Sequence, residues 1–197
     1  MMSAARSWLL LLIAVFALGG CGGMLQKGTR PAQHDLGGPR TARPVGVPLE
    51  SIEAHAATWL DGTGIQYRLA YRSATERLSY AESRWASSPA DMLAVALRGA
   101  LDTPPSPRGC RLVIDVDEFI QVFSSPSQAD VLLAGRATLI DARGRHLIDR
   151  MRFSLTESAG PDAAGGVAAF SRATDALAGR LADWLDRTAA RSKECEQ

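Results

Sequence analysis

The second half of the chain alternates apolar and polar residues with the two-residue period of a β-strand. The alternation covers residues 112–116, running on towards Phe123, and then residues 131–139 and 147–155. Because the turn-forming sequence 141–144 separates the last two stretches, they predict an antiparallel hairpin with one face in the core and one in water.

Three arginines fall on the polar parity of that hairpin. They are Arg136, Arg150 and Arg152. They could form a binding stripe, but a solvated sheet face is the better explanation, because charged residues normally occupy the exposed parity of a half-buried strand.

The first half of the chain predicts two further strands, at residues 49–59 and 65–71. The sequence between them, Asp-Gly-Thr-Gly at 61–64, contains residues that tolerate a positive φ. The two strands therefore predict a second hairpin. Residues 80–87 are polar and aromatic without a clear period, which favours a loop.

Two segments have the 3.6-residue period of amphipathic helices. The first begins at Ser88, a suitable N-cap, with Pro89 and Asp91 in the first turn, and a proline-rich stretch ends it. The second follows a glycine-rich break at 160–166 and extends to Thr188.

Together these elements predict one α+β domain at residues 49–190. We expect a two-layer sandwich whose mainly antiparallel sheet is covered on one face by two amphipathic helices. Residues 191–197 would form a tail. Residues 21–48 are rich in glycine, proline and arginine and lack an apolar period, so they predict a flexible, extended tether.

Residues 1–20 have the features of a bacterial secretory signal. Arg6 supplies the positive charge, and residues 8–18 form an apolar segment that is too short to span a bilayer. Gly19 and Gly20 are the small residues that a signal peptidase requires.

The signal ends directly before Cys21, a pattern that resembles the bacterial lipobox. It implies cleavage before Cys21 and attachment of several fatty acyl chains to that residue, which would anchor the chain stably. An ordinary secretory signal followed by a chance cysteine is the alternative. Gly22 stands where an aspartate would mark inner-membrane retention, so we expect an anchor in the outer membrane, with the chain facing the periplasm.

The formal net charge is +1, from 22 basic and 21 acidic residues. This near balance gives the chain no strongly basic character of the kind that binds nucleic acid by neutralising phosphates. We therefore expect no nucleic-acid partner.

Beyond Cys21, the cysteines of the chain are Cys110 and Cys195. An oxidising periplasm often pairs two such thiols, and a disulfide would pin the tail to the start of a central strand. Two unpaired cysteines are the alternative. Neither has the neighbouring histidines or cysteines that a metal site would require.

The sequence lacks the patterns of common catalytic sites. Its histidines, one in the tether and two in strands, are His34, His55 and His146. No serine lies in a G-x-S-x-G motif. Asp115, Asp117 and Glu118 could suggest a calcium site, but strand alternation places the first two on one face and Glu118 on the other. We expect no enzyme, no cofactor and no metal.

Several short segments together carry a family resemblance. They are Trp-Leu-Asp-Gly at 59–62, Tyr-Arg-Leu at 67–69, residues 78–86 with a Tyr-x-x-x-Arg-Trp core, the following Pro89, Asp-Val at 115–116 and Ala-Thr-Leu at 137–139. These resemble the ABC-type transport auxiliary lipoproteins, the PqiC-like group. His-Asp-Leu-Gly at 34–37 is similar to the Tyr-Asp-Leu-Gly entry of that family, with His34 in place of the usual aromatic residue.

The resemblance implies a non-enzymatic lipoprotein that works with an Mce-domain protein, and through it with an ABC permease and ATPase, in moving lipids or other hydrophobic compounds across the envelope. The chain would act as a scaffold or docking element, alone or as a homo-oligomer. The alternative is a periplasmic carrier that holds a lipid in an apolar cavity between sheet and helices. An envelope hydrolase is a third, weaker hypothesis, since the histidines are badly placed for a triad.

The candidate partner-binding residues are Tyr80, Glu82, Arg84 and Trp85. They belong to types enriched at interfaces and fall in the predicted loop. In this interpretation the aromatic and arginine side chains dock against an Mce protein or a second copy of the chain. Alternatively, Trp85 packs beneath the helix that begins at Ser88 and is purely structural.

Overall fold

A computed structural model describes residues 30–38, 41–103, 106, 108–143, 146–189 and 195. The predicted signal, Cys21 and the tail other than Cys195 lie outside these residues. The elements within them are β1 (Ala32–His34), β2 (Arg43–Pro44), β3 (Leu49–Ala56), a 3-10 turn (Thr58–Leu60), β4 (Gly64–Leu69), β5 (Leu78–Trp85), α1 (Pro89–Ala100), β6 (Leu101–Asp102), β7 (Cys110–Ser125), β8 (Gln128–Ile140), β9 (Leu147–Ala159) and α2 (Ala163–Ala189).

The predicted α+β class, with two helices on a mostly antiparallel sheet, is confirmed. The main sheet has seven strands. Six of them follow the order β1-β5-β4-β7-β8-β9, and the seventh, β3, pairs with β7 along the same edge as β4. The long strands β7, β8 and β9 form an antiparallel meander, so the predicted β8–β9 hairpin is also confirmed. β2 and β6 form a separate two-stranded parallel ribbon.

The predicted hairpin of residues 49–59 and 65–71 is wrong. β3 runs parallel to β7 from Leu49 opposite Cys110 to Ala56 opposite Val116. β4 then runs parallel to the later part of β7, with Tyr67 opposite Gln121. The 3-10 turn buries Leu60 between the two strands, and β7, at 16 residues, is long enough to pair with both.

The predicted tether is wrong for the described residues between 30 and 48. β1 pairs with β5, and Leu36, Val45 and Val47 are buried in the core. The compact unit of the chain accordingly starts at Pro31. These short pieces contribute single apolar side chains rather than a repeating face, which explains why the sequence shows no period there.

The predicted loop at 80–87 is also wrong, because most of it belongs to strand β5. The pairing of β4 with β5 jumps from Gly64 opposite Arg84 to Gln66 opposite Ser79, so several residues of β5 bulge out of register. A bulge breaks the alternation of faces along a strand. The period-two signal is therefore absent from the sequence although a strand forms.

Helices α1 and α2 bury their apolar faces against one side of the sheet. Ser88 caps α1 as predicted, since its hydroxyl accepts a hydrogen bond from the Asp91 backbone N–H at 3.2 Å. Helix α1 packs on β3, α2 packs on β8 and β9, and the two helices touch. The interior between the layers includes Leu93, Leu97, Leu112, Ile114, Leu133, Phe170, Leu177, Leu181 and Leu185.

A disulfide joins Cys110 to Cys195, with 4.8 Å between the Cα atoms. Both cysteines are fully buried and belong to the same apolar core as the two helices. The bridge therefore fixes a point close to the C-terminus against the first residue of the central strand β7.

Candidate docking surface

Trp85 is a core residue and not part of an exposed surface. Its side chain is 1% exposed. Its ring makes edge-to-face contacts with Phe119 and Phe170, each with 5.6 Å between centroids, and those two rings stack on each other at 4.0 Å. Trp85 is therefore buried, as the structural interpretation expected, but the rings that it contacts belong to β7 and α2 rather than to the helix that begins at Ser88. A buried indole cannot dock against a partner in the folded domain.

Tyr80 is half-buried and forms part of a hydrogen-bond chain to the start of α2. Its hydroxyl donates to Oε1 of the fully buried Gln121 at 2.9 Å. The Gln121 amide in turn donates to the backbone carbonyl of Gly160 at 2.7 Å. Burial, followed by the charges of Tyr67 and Asp162, raises the pKa of the Tyr80 phenol to about 12. Tyr80 thus helps to position the glycine-rich break.

Glu82 and Arg84 are exposed on β5. Neither side chain forms an ion pair with a residue that the structure describes. The four predicted partner-binding residues are therefore divided. Tyr80 and Trp85 face the protein interior, whereas Glu82 and Arg84 remain available to a partner.

The side of the sheet that the helices leave uncovered, here called the open face, carries most of the charged strand residues. Arg111 makes a two-pronged contact with Glu53 at 3.0 Å to each carboxylate oxygen. The Ser51 hydroxyl, followed by Arg111, lowers the pKa of the Glu53 carboxyl.

The sequence predicted that Glu118 and Asp115 lie on different faces of the sheet, and this prediction is wrong. The register of β7 and β8 shifts between Val116 and Glu118. Because the bulge at Asp117 reverses the parity, Asp115 and Glu118 both lie on the open face. Even so, no group of three or more His, Cys, Asp or Glu residues in the described part of the chain is placed to hold a metal ion.

An exposed aromatic site lies where the 3-10 turn meets the open face. We call it the Trp59 cluster and define it as Trp59, Gln66, Arg68, Arg77 and Glu118. Trp59 is 57% exposed. The Arg77 guanidinium lies 5.9 Å from the centroid of its ring, within the range of a cation–π contact.

The cluster is held in place by its own hydrogen bonds. The Gln66 amide donates to the backbone carbonyl of Trp59, and Arg77 donates to Gln66 Oε1 at 2.9 Å. The Glu118 carboxylate also pairs with Arg77 and lies 3.7 Å from Arg68 Nη2. The side chains of Arg68, Arg77 and Glu118 are largely buried, so the exposed indole sits on a rigid support.

Sequence reasoning missed the Trp59 cluster because it treated Trp59 as the end of a strand. A large aromatic residue one leucine away from an Asp-Gly-Thr-Gly turn is a usable signal, since turns project from the surface. The contribution of Arg77 and Glu118 could not be read from the sequence. They are 41 residues apart, and strand pairing alone brings them together.

Residues 53–182 match the family model of the ABC-type transport auxiliary lipoprotein component. The chain belongs to this family. The family resemblance expected from the sequence is thereby confirmed, and the chain is a transport auxiliary component of the lipoprotein type.

Two crystal structures share the fold of this auxiliary lipoprotein. One is protein XCC0632 from Xanthomonas campestris, of the DUF330 family, with 19% identity and a TM-score of 0.63 over 83% of this chain and 96% of that chain. The other is an uncharacterized protein with 16% identity and a TM-score of 0.62 over 79% and 99%. No curated protein matches the chain significantly. None of the described helices is both long and apolar enough to cross a membrane.

Proposed function

We propose that this auxiliary lipoprotein is a docking component, without catalytic turnover, of an Mce-type ABC transport system. Acyl chains on Cys21 hold it in the outer membrane, facing the periplasm. An Mce-domain protein links it to the permease and ATPase, which move lipids or other hydrophobic compounds across the envelope. Family membership supports the transport role, and the lipobox pattern supports the anchor.

The observation that carries the docking role is the exposure of Trp59 on a rigid support. Tryptophan and arginine are the residue types that most often dominate binding energy at interfaces. An indole that is already fixed by its neighbours loses little conformational freedom on binding, so less of the interaction energy is lost to ordering. Glu82 and Arg84 are proposed as secondary contacts to the same Mce-domain protein or to a second copy of the chain.

The carrier alternative has less support. Large side chains that are fully buried, such as Phe170, Leu133 and Leu97, fill the interior between sheet and helices. A hollow of about 490 Å³ lies beside β3, but Glu50 and Arg98 line it. A lipid tail requires an apolar cavity, and charged side chains in the wall oppose its entry.

The experiment is capture of the Mce-domain protein by the full-length lipoprotein in detergent, measured by native mass spectrometry. We expect Trp59→Ala to reduce the affinity by about 2 kcal/mol, roughly thirtyfold, as for an interfacial hot spot. The matched control is Tyr71→Ala, which removes another exposed aromatic side chain, 44% exposed, outside the cluster.

Capture that survives in Trp59→Ala would exclude the Trp59 cluster as the docking site. Equal loss in both variants would indicate non-specific adhesion through exposed aromatic groups. Should the unaltered protein capture no Mce-domain protein at all, while retaining a co-purified lipid, the carrier function would replace the docking function.

A further inference from the structure

The open face carries three arginines, on β8 and β9, that form no ion pair with any described acidic residue. Arg136 is directly opposite Arg152, and Arg150 is opposite Thr138. Arg150 and Arg152 are exposed and Arg136 is half-buried. None of the three forms an ion pair with a residue in the described part of the chain. We call these three residues the arginine stripe.

The spacing of the stripe follows from the sheet. Residues directly opposite each other on neighbouring strands have Cβ atoms about 5 Å apart, and same-face neighbours along one strand are about 7 Å apart. Like charges placed directly opposite each other destabilise a sheet. The stripe is therefore a local cost to the isolated domain that a bound anion would offset.

The acids nearest in sequence are engaged elsewhere. Asp141 is buried, and its carboxylate accepts the backbone N–H of His146 at 3.0 Å. Asp149 accepts hydrogen bonds from the Trp184 indole and the Thr188 hydroxyl on the covered side, each at 3.1 Å. Asp115 lies opposite Arg136. Glu53 lies opposite Val113, in the same cross-strand row as Arg150, but it is bound by Arg111. The stripe therefore stays net positive.

The shape of the stripe favours a planar anionic partner. Its guanidinium groups stand side by side on a sheet face, whereas a site for a small free anion has donors that converge on one point. Leu147, opposite Ile140 on the same face, is 55% exposed. Basic residues next to an exposed apolar side chain are the combination by which proteins bind the interface of an anionic bilayer.

We propose that the arginine stripe, with Leu147 beside it, docks the β8–β9 end of the open face onto the phosphate groups of an anionic phospholipid bilayer. The surface is independent of the Mce partner and of the Trp59 cluster. It orients the anchored domain with β9, an edge strand of the sheet, against the lipid.

The test uses the chain from residue 21 onward with Cys21→Ser, so that no acyl chain contributes to binding. Flotation with vesicles of phosphatidylglycerol and phosphatidylethanolamine is compared with flotation with phosphatidylcholine vesicles. We expect binding to the anionic vesicles alone, weakened by salt. The triple variant Arg136→Gln, Arg150→Gln, Arg152→Gln should reduce the partition coefficient about a hundredfold, and Leu147→Ser roughly tenfold.

The matched control removes three exposed arginines outside the stripe, by Arg72→Gln, Arg108→Gln and Arg187→Gln. It should retain vesicle binding and unfold at the temperature of the parent chain, whereas the stripe variant should unfold at the same or a slightly higher temperature because it removes like-charge repulsion. Equal losses in the two triple variants would overturn the proposal in favour of net charge alone.

Two further outcomes would also overturn it. Binding of inorganic phosphate with the same dependence on the stripe would identify a small-anion site. Binding of soluble polyglutamate with loss in the stripe variant, but without vesicle binding, would identify an acidic protein as the partner instead.

Discussion

The two faces of the main sheet use the same residue type in opposite ways. On the covered face, Trp85 is 1% exposed and contributes its whole indole to the core. Beside the open face, Trp59 is 57% exposed and rests on polar side chains. The covered face thus uses its aromatic residue for stability, whereas Trp59, beside the open face, is left exposed for the docking role that we propose.

The arginines show the same division. Helix-borne arginines donate to carbonyl groups at the edges of the sheet: Arg98 to Ile52, Arg172 to Ser158 and Arg180 to Ser154. Such contacts satisfy edge groups that could otherwise pair with another strand. Among the described residues, no hydrogen bond or ion pair gives the side chains of the arginine stripe a comparable structural role.

The largest expected effect breaks the covered face. Trp85→Ala should lower the free energy of unfolding by about 3–5 kcal/mol, because it leaves a cavity next to Phe119 and Phe170. Trp59→Ala should lower it by less than about 1 kcal/mol. Urea unfolding followed by circular dichroism measures both. Similar losses of unfolding free energy in the two variants would show that the buried and the exposed tryptophan contribute equally to stability.

The disulfide provides a second, smaller test of the covered face. Replacing both Cys110 and Cys195 by alanine should cost about 2–4 kcal/mol, because the bridge closes a loop with a sequence separation of 85. Vesicle flotation of the folded double variant should be unchanged, since the open face does not contain the bridge. Loss of flotation without loss of stability would contradict this separation.

The smallest expected effect concerns Tyr80 at alkaline pH. The pKa of its phenol is raised from 10.0 to about 12 in the folded protein. The contribution of the protonated Tyr80 phenol to the stability of the fold is therefore fully present below pH 10. It is lost as the pH rises towards 12, because Tyr80 releases its phenolic proton at a lower pH in the unfolded chain than in the folded one. Absorbance of tyrosinate should show one tyrosine titrating late, and Tyr80→Phe should remove that phase. A late phase that persists in the variant would assign it to another tyrosine.

The sequence predicted the elements whose residues repeat on one face. Strand β8 and both helices bury apolar stripes along most of their length, and β9 does so from Met151 to Leu155. Their periods of two and 3.6 residues are therefore visible in the sequence. Strand β5 was missed because a bulge breaks its alternation. The predicted hairpin of residues 49–59 and 65–71 was wrong because a turn sequence indicates only that the chain changes direction. It does not specify which strand the chain pairs with next.

By itself, the sequence determined the α+β class, the helix bounded by Ser88, the family and the prediction of a lipid anchor at Cys21. These depend on local patterns, which neighbouring residues specify. The tertiary structure decided that Trp85 is buried and Trp59 exposed, that Asp115 and Glu118 share a face, and that Arg136 stands opposite Arg152. Each of these depends on strand register, which is fixed by packing between residues far apart in the chain.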